Sequence, residues 1–191
     1  FARRLCIQLK VNGLEPLYMG TDDYFVERCD TPLDEYGERD YENLSAVDIK
    51  LFNEQLNALL AGETVDLPEF DFIEGTKMFG KRKASVKPGH PIVIEGIHGL
   101  NDLLTPDIDA KEKFKIYISP LTQLNIDEHN RIPTTDERML RRMVRDNLYR
   151  GKSAAATIDE WPKVRRGEDK NIFPYSGQSD VLFNSYHVYE I

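Results

Sequence analysis

Pro91-Ile92-Val93-Ile94-Glu95-Gly96 is the stretch on which the fold turns. Ile92, Val93 and Ile94 are β-branched in succession, which suits an extended backbone and predicts a strand buried on both faces. Strands of that kind belong to parallel sheets, whose crossovers lay helices over them. The run ends in an acid and a glycine. Ligands of open parallel sheets bind at the carboxyl ends of the strands, so Glu95 stands where chemistry is expected.

Working outward, Ala2, Leu5, Cys6 and Leu9 repeat at i, i+3, i+4 and i+7, and Asn12-Gly13 ends the pattern. This predicts a helix whose beginning is missing. Leu17-Tyr18-Met19 reads as a short strand running into Gly20-Thr21-Asp22-Asp23, a second place with acids after a strand. Residues 29–43 are rich in charge and turn formers and read as a loop. Ser45 with Asp48 predicts a capped helix with Ile49, Phe52, Leu56, Leu59 and Leu60 on its apolar face, closed by Gly62. Residues 64–73 alternate as Val65 and Leu67, then Phe70 and Phe72, as a strand or extended hairpin does.

Beyond Gly96 the pattern predicts a short helix near 100–104, a strand over 114–118, and a loop through His129 and Arg131. Two helices follow, one rich in arginine and one starting at Thr157 and carrying Trp161 and Val164. A last core strand is expected over 179–183. Strands alternating with helices predict an α/β domain with a mostly parallel sheet.

The bulk numbers narrow the function. A chain of 191 residues is one domain, or one domain with a small lid. No apolar run approaches the roughly 20 residues of a membrane span, and no secretory signal is present. Net charge is -8 and the isoelectric point near 5.1, against a general nucleic-acid surface. Cys6 and Cys29 have neither metal-ligand nor redox spacing and read as reduced cytosolic thiols. His90, His98, His129 and His187 show no zinc pattern.

Against that acidic background, five of thirteen arginines fall within thirteen residues: Arg138, Arg141, Arg142, Arg145 and Arg150, with Lys152 just beyond. On a helix the first four fall within one arc of about 100°. Met139, Leu140, Met143 and Val144 take the other side, which can pack on a core. Thr134 with Glu137 predicts a capping box, and Gly151 a stop. Stacked guanidinium groups repel, and Asp136, Glu137 and Asp146 relieve only part of that. A planar fork pairs bidentately with phosphate, so the stripe suits a polyanion clamp; a solvated helix face is the other reading.

Acids after buried strands are what phosphoryl transfer needs to hold magnesium and to orient an attacking hydroxyl. A phosphate cradle GxxxxGK[ST] is the remaining part. Gly75-Thr76-Lys77-Met78-Phe79-Gly80-Lys81-Arg82 comes near it, but Arg82 replaces the magnesium-binding hydroxyl and no helix follows. It reads as a basic hairpin or loop, whose Lys77, Lys81, Arg82 and Lys83 could still lie near an anion. The expectation is that the chain begins just after the true cradle, whose helix is the one at residues 1–9, and that this stretch alone is an inefficient kinase.

These residues, taken in order, resemble the uridine kinase and phosphoribulokinase family of P-loop kinases, most closely its bacterial uridine-kinase-like members. Asp22-Asp23-Tyr24-Phe25 is similar to the family's Asp-x-Phe segment, which implies Asp23 as the base for a nucleoside 5′-hydroxyl and a metal-side acid, with Phe25 beside the substrate. Tyr41-Glu42 through Asp48 is similar to the substrate-side segment, with Glu42 where the family usually has Asp. Pro68-Glu69-Phe70-Asp71-Phe72 resembles the strand whose aromatics stack on the base. Phe70 lacks the usual tyrosine hydroxyl, and Gly75 falls near the family's histidine. Ile94-Glu95-Gly96-Ile97 is similar to the Walker B strand, implying Glu95 as the magnesium-water ligand. Arg141-Arg142-Met143-Val144-Arg145-Asp146 through Arg150-Gly151-Lys152 resembles the lid, implying Arg142, Arg145, Arg150 and Lys152 on the phosphates and leaving Arg138 as surface charge.

The resemblance implies a three-layer α/β/α P-loop NTPase fold over 1–191, with a lid at about 134–156 and the first strand and P-loop outside the chain. It implies a cytoplasmic enzyme that uses ATP and Mg2+ to phosphorylate an alcohol of a nucleoside-like acceptor. The acceptor could instead be another small alcohol such as a sugar phosphate, and the substituted base-side residues also suit a regulatory nucleotide-binding module. ATP and a small molecule are the expected partners, without nucleic acid or membrane; the sequence leaves a homo-oligomer open.

Overall fold

Residues 1–121 and 125–186 are described by the computed structural model, so His187 lies outside the described residues. The chain forms two compact units, Phe1–Lys113 and Phe114–Ile191. The first contains α1 (Ala2–Val11), β1 (Leu17–Gly20), α2 (Ile49–Leu60), β2 (Val65–Asp71), β3 (Thr76–Ala84) and β4 (Ile92–Glu95). The second contains β5 (Ile116–Ser119), α3 (Thr134–Tyr149), α4 (Ala154–Asn171), α5 (Phe173–Ser176) and β6 (Val181–Asn184).

In the first unit β1 and β4 pair in parallel, Leu17 opposite Ile92 through Gly20 opposite Glu95. The expectation for β4 needs correction: Ile92, Val93 and Ile94 are half-buried, not covered on both faces. Among the described residues β4 pairs with β1 alone, which leaves part of its surface open. The core instead gathers around α2, with Met19, Tyr24, Phe52, Leu59, Leu67 and Leu104 nearly or fully buried. Burying such side chains supplies about 1.5–3 kcal/mol each.

The α2 start also shifts. Ser45 lies in a short 3-10 turn, where the Asn43 carboxamide accepts from its N–H. Asp48 is the true N-cap, accepting from the Leu51 N–H at 3.1 Å. The cap preference of both side chains left the choice to the loop before them.

β2 and β3 form the antiparallel hairpin, with a register shift between Leu67 and Glu69. Pro68 has no N–H for a ladder bond, and residues 79–81 bow out opposite it. Gly80 takes φ +88 in that bow, and the Asp66 carboxylate accepts its N–H at 2.7 Å. Leu67 and Pro68 are buried in succession. That is why the apolar alternation passes from Val65 and Leu67 to Phe70 and Phe72. Strand geometry in β3 rules out the near-match to a phosphate cradle.

In the second unit β5 and β6 pair in parallel, and α3 meets α4 through charge. The side of α3 expected to pack on a core is only partly covered: Met139 and Met143 are half-buried, while Leu140 is 49% and Val144 60% exposed. Glu137 and Asp146 are the residues α3 buries, and Thr157, Val164, Gly167, Glu168 and Asn171 those of α4. Pro133 stands at the α3 N-cap and no side chain caps it, so the Thr134 capping box does not form. Gly151 does end the segment, at φ +65. The next helix begins before Thr157, at Ala154, because the Ser153 hydroxyl accepts from the Ala156 N–H. β6 is exposed along its length, not a core strand.

Candidate active site

In the first unit, Asp22, Asp23, Tyr18, Glu95, Lys81 and Arg82 line one cavity of about 810 Å³, together with Arg3 and Lys10 of α1. The parallel register explains the meeting of the two acids. Gly20 stands opposite Glu95, so the turn that follows β1 (Thr21–Tyr24) rises beside the end of β4. Tyr24 anchors that turn: it is 1% exposed, its ring meets Phe52 edge-on at 4.9 Å, and its hydroxyl donates to Gln55 Oε1 at 2.7 Å. Gly96 lets the turn approach, since a Cβ there would lie 1.8 Å from Thr21 Oγ1.

Burial pushes the Asp23 carboxyl above its usual range, opposed by a hydrogen bond from the Phe70 N–H and by the Arg82 charge; Glu69 and Glu95 add to the rise. Arg82 Nη1 lies 3.7 Å from Asp23 Oδ2, and another nitrogen of the same fork donates to the Tyr18 carbonyl oxygen. Tyr18 donates its hydroxyl to Glu95 Oε1 at 2.5 Å. Burial and that bond push the Tyr18 hydroxyl up to about 12. Tyr18 therefore stays a donor, fixing the Glu95 side chain.

Phe25, Phe70 and Phe72 come together as one edge-to-face cluster, with centroids 5.7 Å (Phe25–Phe70), 6.3 Å (Phe25–Phe72) and 5.3 Å (Phe70–Phe72) apart. The Phe70 backbone bond to Asp23 ties the cluster to the acid. Beside it, Lys77 Nζ meets Asp48 Oδ2 at 2.6 Å. Burial alone would raise the Asp48 carboxyl, but the Lys77 and Leu51 bonds outweigh it and hold it low. Glu42 sits apart from the cavity lining, in a loop where its N–H donates to Asp40. Under that loop lies His98, 1% exposed; burial lowers its basicity against the pull of the Asn43 and Glu42 backbone and the Asp40 charge.

In the second unit the arginines divide. Arg142 Nε and Arg145 Nε each lie 3.3 Å from the Asp146 carboxylate, and Arg150 Nη1 lies 3.5 Å from it. Lys152 turns to Glu160 at 2.7 Å. Arg138 is not mere surface charge: it pairs with Glu168, whose side chain is 3% exposed and also holds Arg165 at 2.5 Å.

Sequence reasoning missed three of these residues as parts of a site. Tyr18 was legible only as a strand residue, and nothing in a linear sequence says which acid its hydroxyl meets. Arg82 was noticed for its charge, but its nearness to Asp23 depends on how the hairpin folds. Asp146 was counted as partial relief for the arginines, whereas it is their common partner.

Acids after adjacent parallel strands, with basic groups around the same cavity, are an arrangement suited to phosphoryl transfer. Residues 31–191 match the model of the Phosphoribulokinase / Uridine kinase family, and the chain belongs to that family. It is 26% identical over 181 residues to the uridine kinase of Deinococcus deserti, spanning 94% of this chain and 78% of that one. It is 30% identical over 174 residues to the uridine kinase of Ligilactobacillus salivarius, spanning 91% and 73%. A solved structure described as a candidate fructose transport system kinase from Silicibacter sp. TM1040 shares 16% identity with a TM-score of 0.65, covering 95% of this chain and 81% of the other. The fold is that of the P-loop kinases, with its parallel strand pairs and flanking helices.

Proposed function

We propose that this chain belongs to an ATP-dependent kinase that transfers the γ-phosphoryl group to a hydroxyl of a nucleoside-like acceptor. The observation that carries the reading is the convergence of Asp23 and Glu95 in one cavity at the ends of β1 and β4. Family membership supports phosphoryl transfer to a small alcohol, and the relatives named as uridine kinases favour a nucleoside.

The donor set suits magnesium. The cavity offers carboxylate oxygens from Asp22, Asp23 and Glu95. Magnesium bound to a nucleotide takes one or two carboxylates and completes its shell with phosphate oxygens and water, where it neutralises charge on the phosphates. Glu95 would hold it, with Asp23 lining the same cavity.

Asp23 accepts the acceptor's hydroxyl proton or orients that hydroxyl in line with the transferring phosphorus. Its raised pKa suits a base that must be ionised yet able to take a proton. Phe25, Phe70 and Phe72 present an apolar aromatic surface for a planar base, tied to Asp23 through the Phe70 N–H. Arg142, Arg145 and Arg150 neutralise charge on the polyphosphate. A sugar phosphate as acceptor is the second reading, favoured by the departures at Glu42, Phe70 and Gly75 from the nucleoside-kinase pattern.

The test is Asp23→Asn, assayed for ATP consumption against nucleosides and sugar phosphates. Turnover should fall on the order of 10³-fold with ATP binding retained. Normal turnover would overturn the role of Asp23, and turnover only with phosphorylated sugars would replace the nucleoside reading.

A further inference from the structure

The most unusual side chain in the second unit is Asp146. It is a carboxylate on a helix, 1% exposed, with three guanidinium groups within 3.5 Å. Arg142 precedes it by one helical turn, Arg145 is its immediate neighbour, and Arg150 follows by four residues. Arg145 Nε and Arg150 Nη1 share Oδ1, while Arg142 Nε faces Oδ2. The Thr157 hydroxyl, itself fully buried, lies 3.5 Å from Oδ2 and reaches it from α4. The Asp146 backbone takes part as well. Its carbonyl accepts the N–H of both Arg150 and Lys152, at 3.1 Å each, and so folds the end of α3 back over the carboxylate.

Three cations drawn to one anion leave positive charge in excess. Burial and repulsion from Arg150 and Arg142 depress the Arg145 guanidinium, with Asp146 opposing. A lone buried carboxylate would be costly, and so would three crowded guanidinium groups. Each makes the other tolerable, and the surplus faces outward on side chains still partly exposed, 20% for Arg142, 46% for Arg145 and 26% for Arg150. Long flexible side chains lose much rotamer freedom when they close on a ligand. Holding them in place beforehand removes part of that cost from binding.

We infer that Asp146 is the positioning residue of the arginine clamp, gathering Arg142, Arg145 and Arg150 into one preorganised receptor for a polyphosphate. The inference rests on the proposed phosphate-binding role of those arginines, and adds a residue that itself touches no phosphate. Its consequence runs against simple electrostatics. Removing a negative charge beside an anion site should strengthen anion binding through Coulomb's law alone. If Asp146 positions the cations, removing its charge should weaken it.

The experiment measures inorganic tripolyphosphate binding by calorimetry to the full chain and to Asp146→Asn, which keeps the side-chain shape. Far-UV circular dichroism and the unfolding midpoint establish that each variant is folded. Thr157→Val is the milder second variant, since it leaves the carboxylate and removes only the hydroxyl across from it. Affinity should fall about tenfold in Asp146→Asn and about threefold in Thr157→Val. Hydrogen exchange at the Arg145 Nε–H group, which donates to Asp146 Oδ1 at 3.3 Å, should quicken in both variants when read by NMR without any ligand. Unchanged or tighter tripolyphosphate binding by folded Asp146→Asn overturns the positioning role. Failure of the unaltered chain to bind tripolyphosphate is a separate result: it overturns the clamp reading, and the receptor with it. An unprotected Arg145 Nε–H in the unaltered chain would show that the carboxylate does not hold that arginine, and would also overturn the inference.

Discussion

Asp23 shows how much of a residue's chemistry is made by its neighbours. Its carboxyl is raised by burial and by Glu69 and Glu95, and restrained by the Phe70 N–H and by Arg82 at 3.7 Å. A base works only when ionised, so activity is lost as pH falls through its pKa, and a raised pKa moves that acid limb upward. The limb for kcat/KM should therefore lie above the ordinary aspartate value of 3.8. Arg82→Gln removes a restraining charge and should move the limb further toward neutral pH, by up to about one unit. A pH–rate profile in which the limb stays put or moves down would show that Arg82 does not act on Asp23. Of these groups, the sequence pointed to Asp23 through its place after a strand, and to Arg82 only as one of several basic residues near an anion.

At the scale of elements, the contact between the end of β4 and the turn after β1 decides the geometry of the cavity. Glu95 and Asp23 come close because Gly96 has no side chain: a Cβ would sit 1.8 Å from Thr21 Oγ1, and φ there is +153. Gly96→Ala must push the turn away or strain the strand. It should cost about 1–3 kcal/mol in chemical denaturation. It should also lower turnover, because the turn carries Asp23. A stability loss with unaltered turnover would show that the turn relaxes without moving the acid. The pair Glu95-Gly96 was visible in the sequence as a strand end, but the identity of what presses on the glycine was not. The helices tell a similar story. The periodicity of α3 was legible, yet its apolar side is covered only in part, at Met139 and Met143, and its fully buried members are Glu137 and Asp146. Periodicity tells which residues share a face; it does not tell which face is covered.

For the whole molecule, the two units are stabilised in different ways. The first has an apolar core centred on Phe52, fully buried against Met19, Tyr24 and Leu56. Phe52→Ala should destabilise that unit by about 3–5 kcal/mol, read from urea unfolding, because the cavity left behind adds to the lost transfer energy. A cost below about 1 kcal/mol would mean that the core collapses around the gap. In the second unit the buried Glu168 of α4 pairs with Arg138 of α3, and Thr157 of α4 reaches Asp146, whose three arginine partners lie on α3 and at its end. Such pairs are weak sources of stability and strong sources of specificity in geometry, which suits a clamp more than a core.

The sequence by itself determined the alternation of strands and helices, an extended segment over 64–73, and the two acids after strands. These follow from local periodicity, β-branching and turn chemistry, which act over a few residues. Only the tertiary structure decided that Tyr18 holds Glu95, that Arg82 reaches Asp23, and that three arginines converge on Asp146. Those contacts join residues up to 77 positions apart or depend on which side of a helix is buried. A linear pattern cannot rank such partners, because their energies come from burial and distance once the chain has folded.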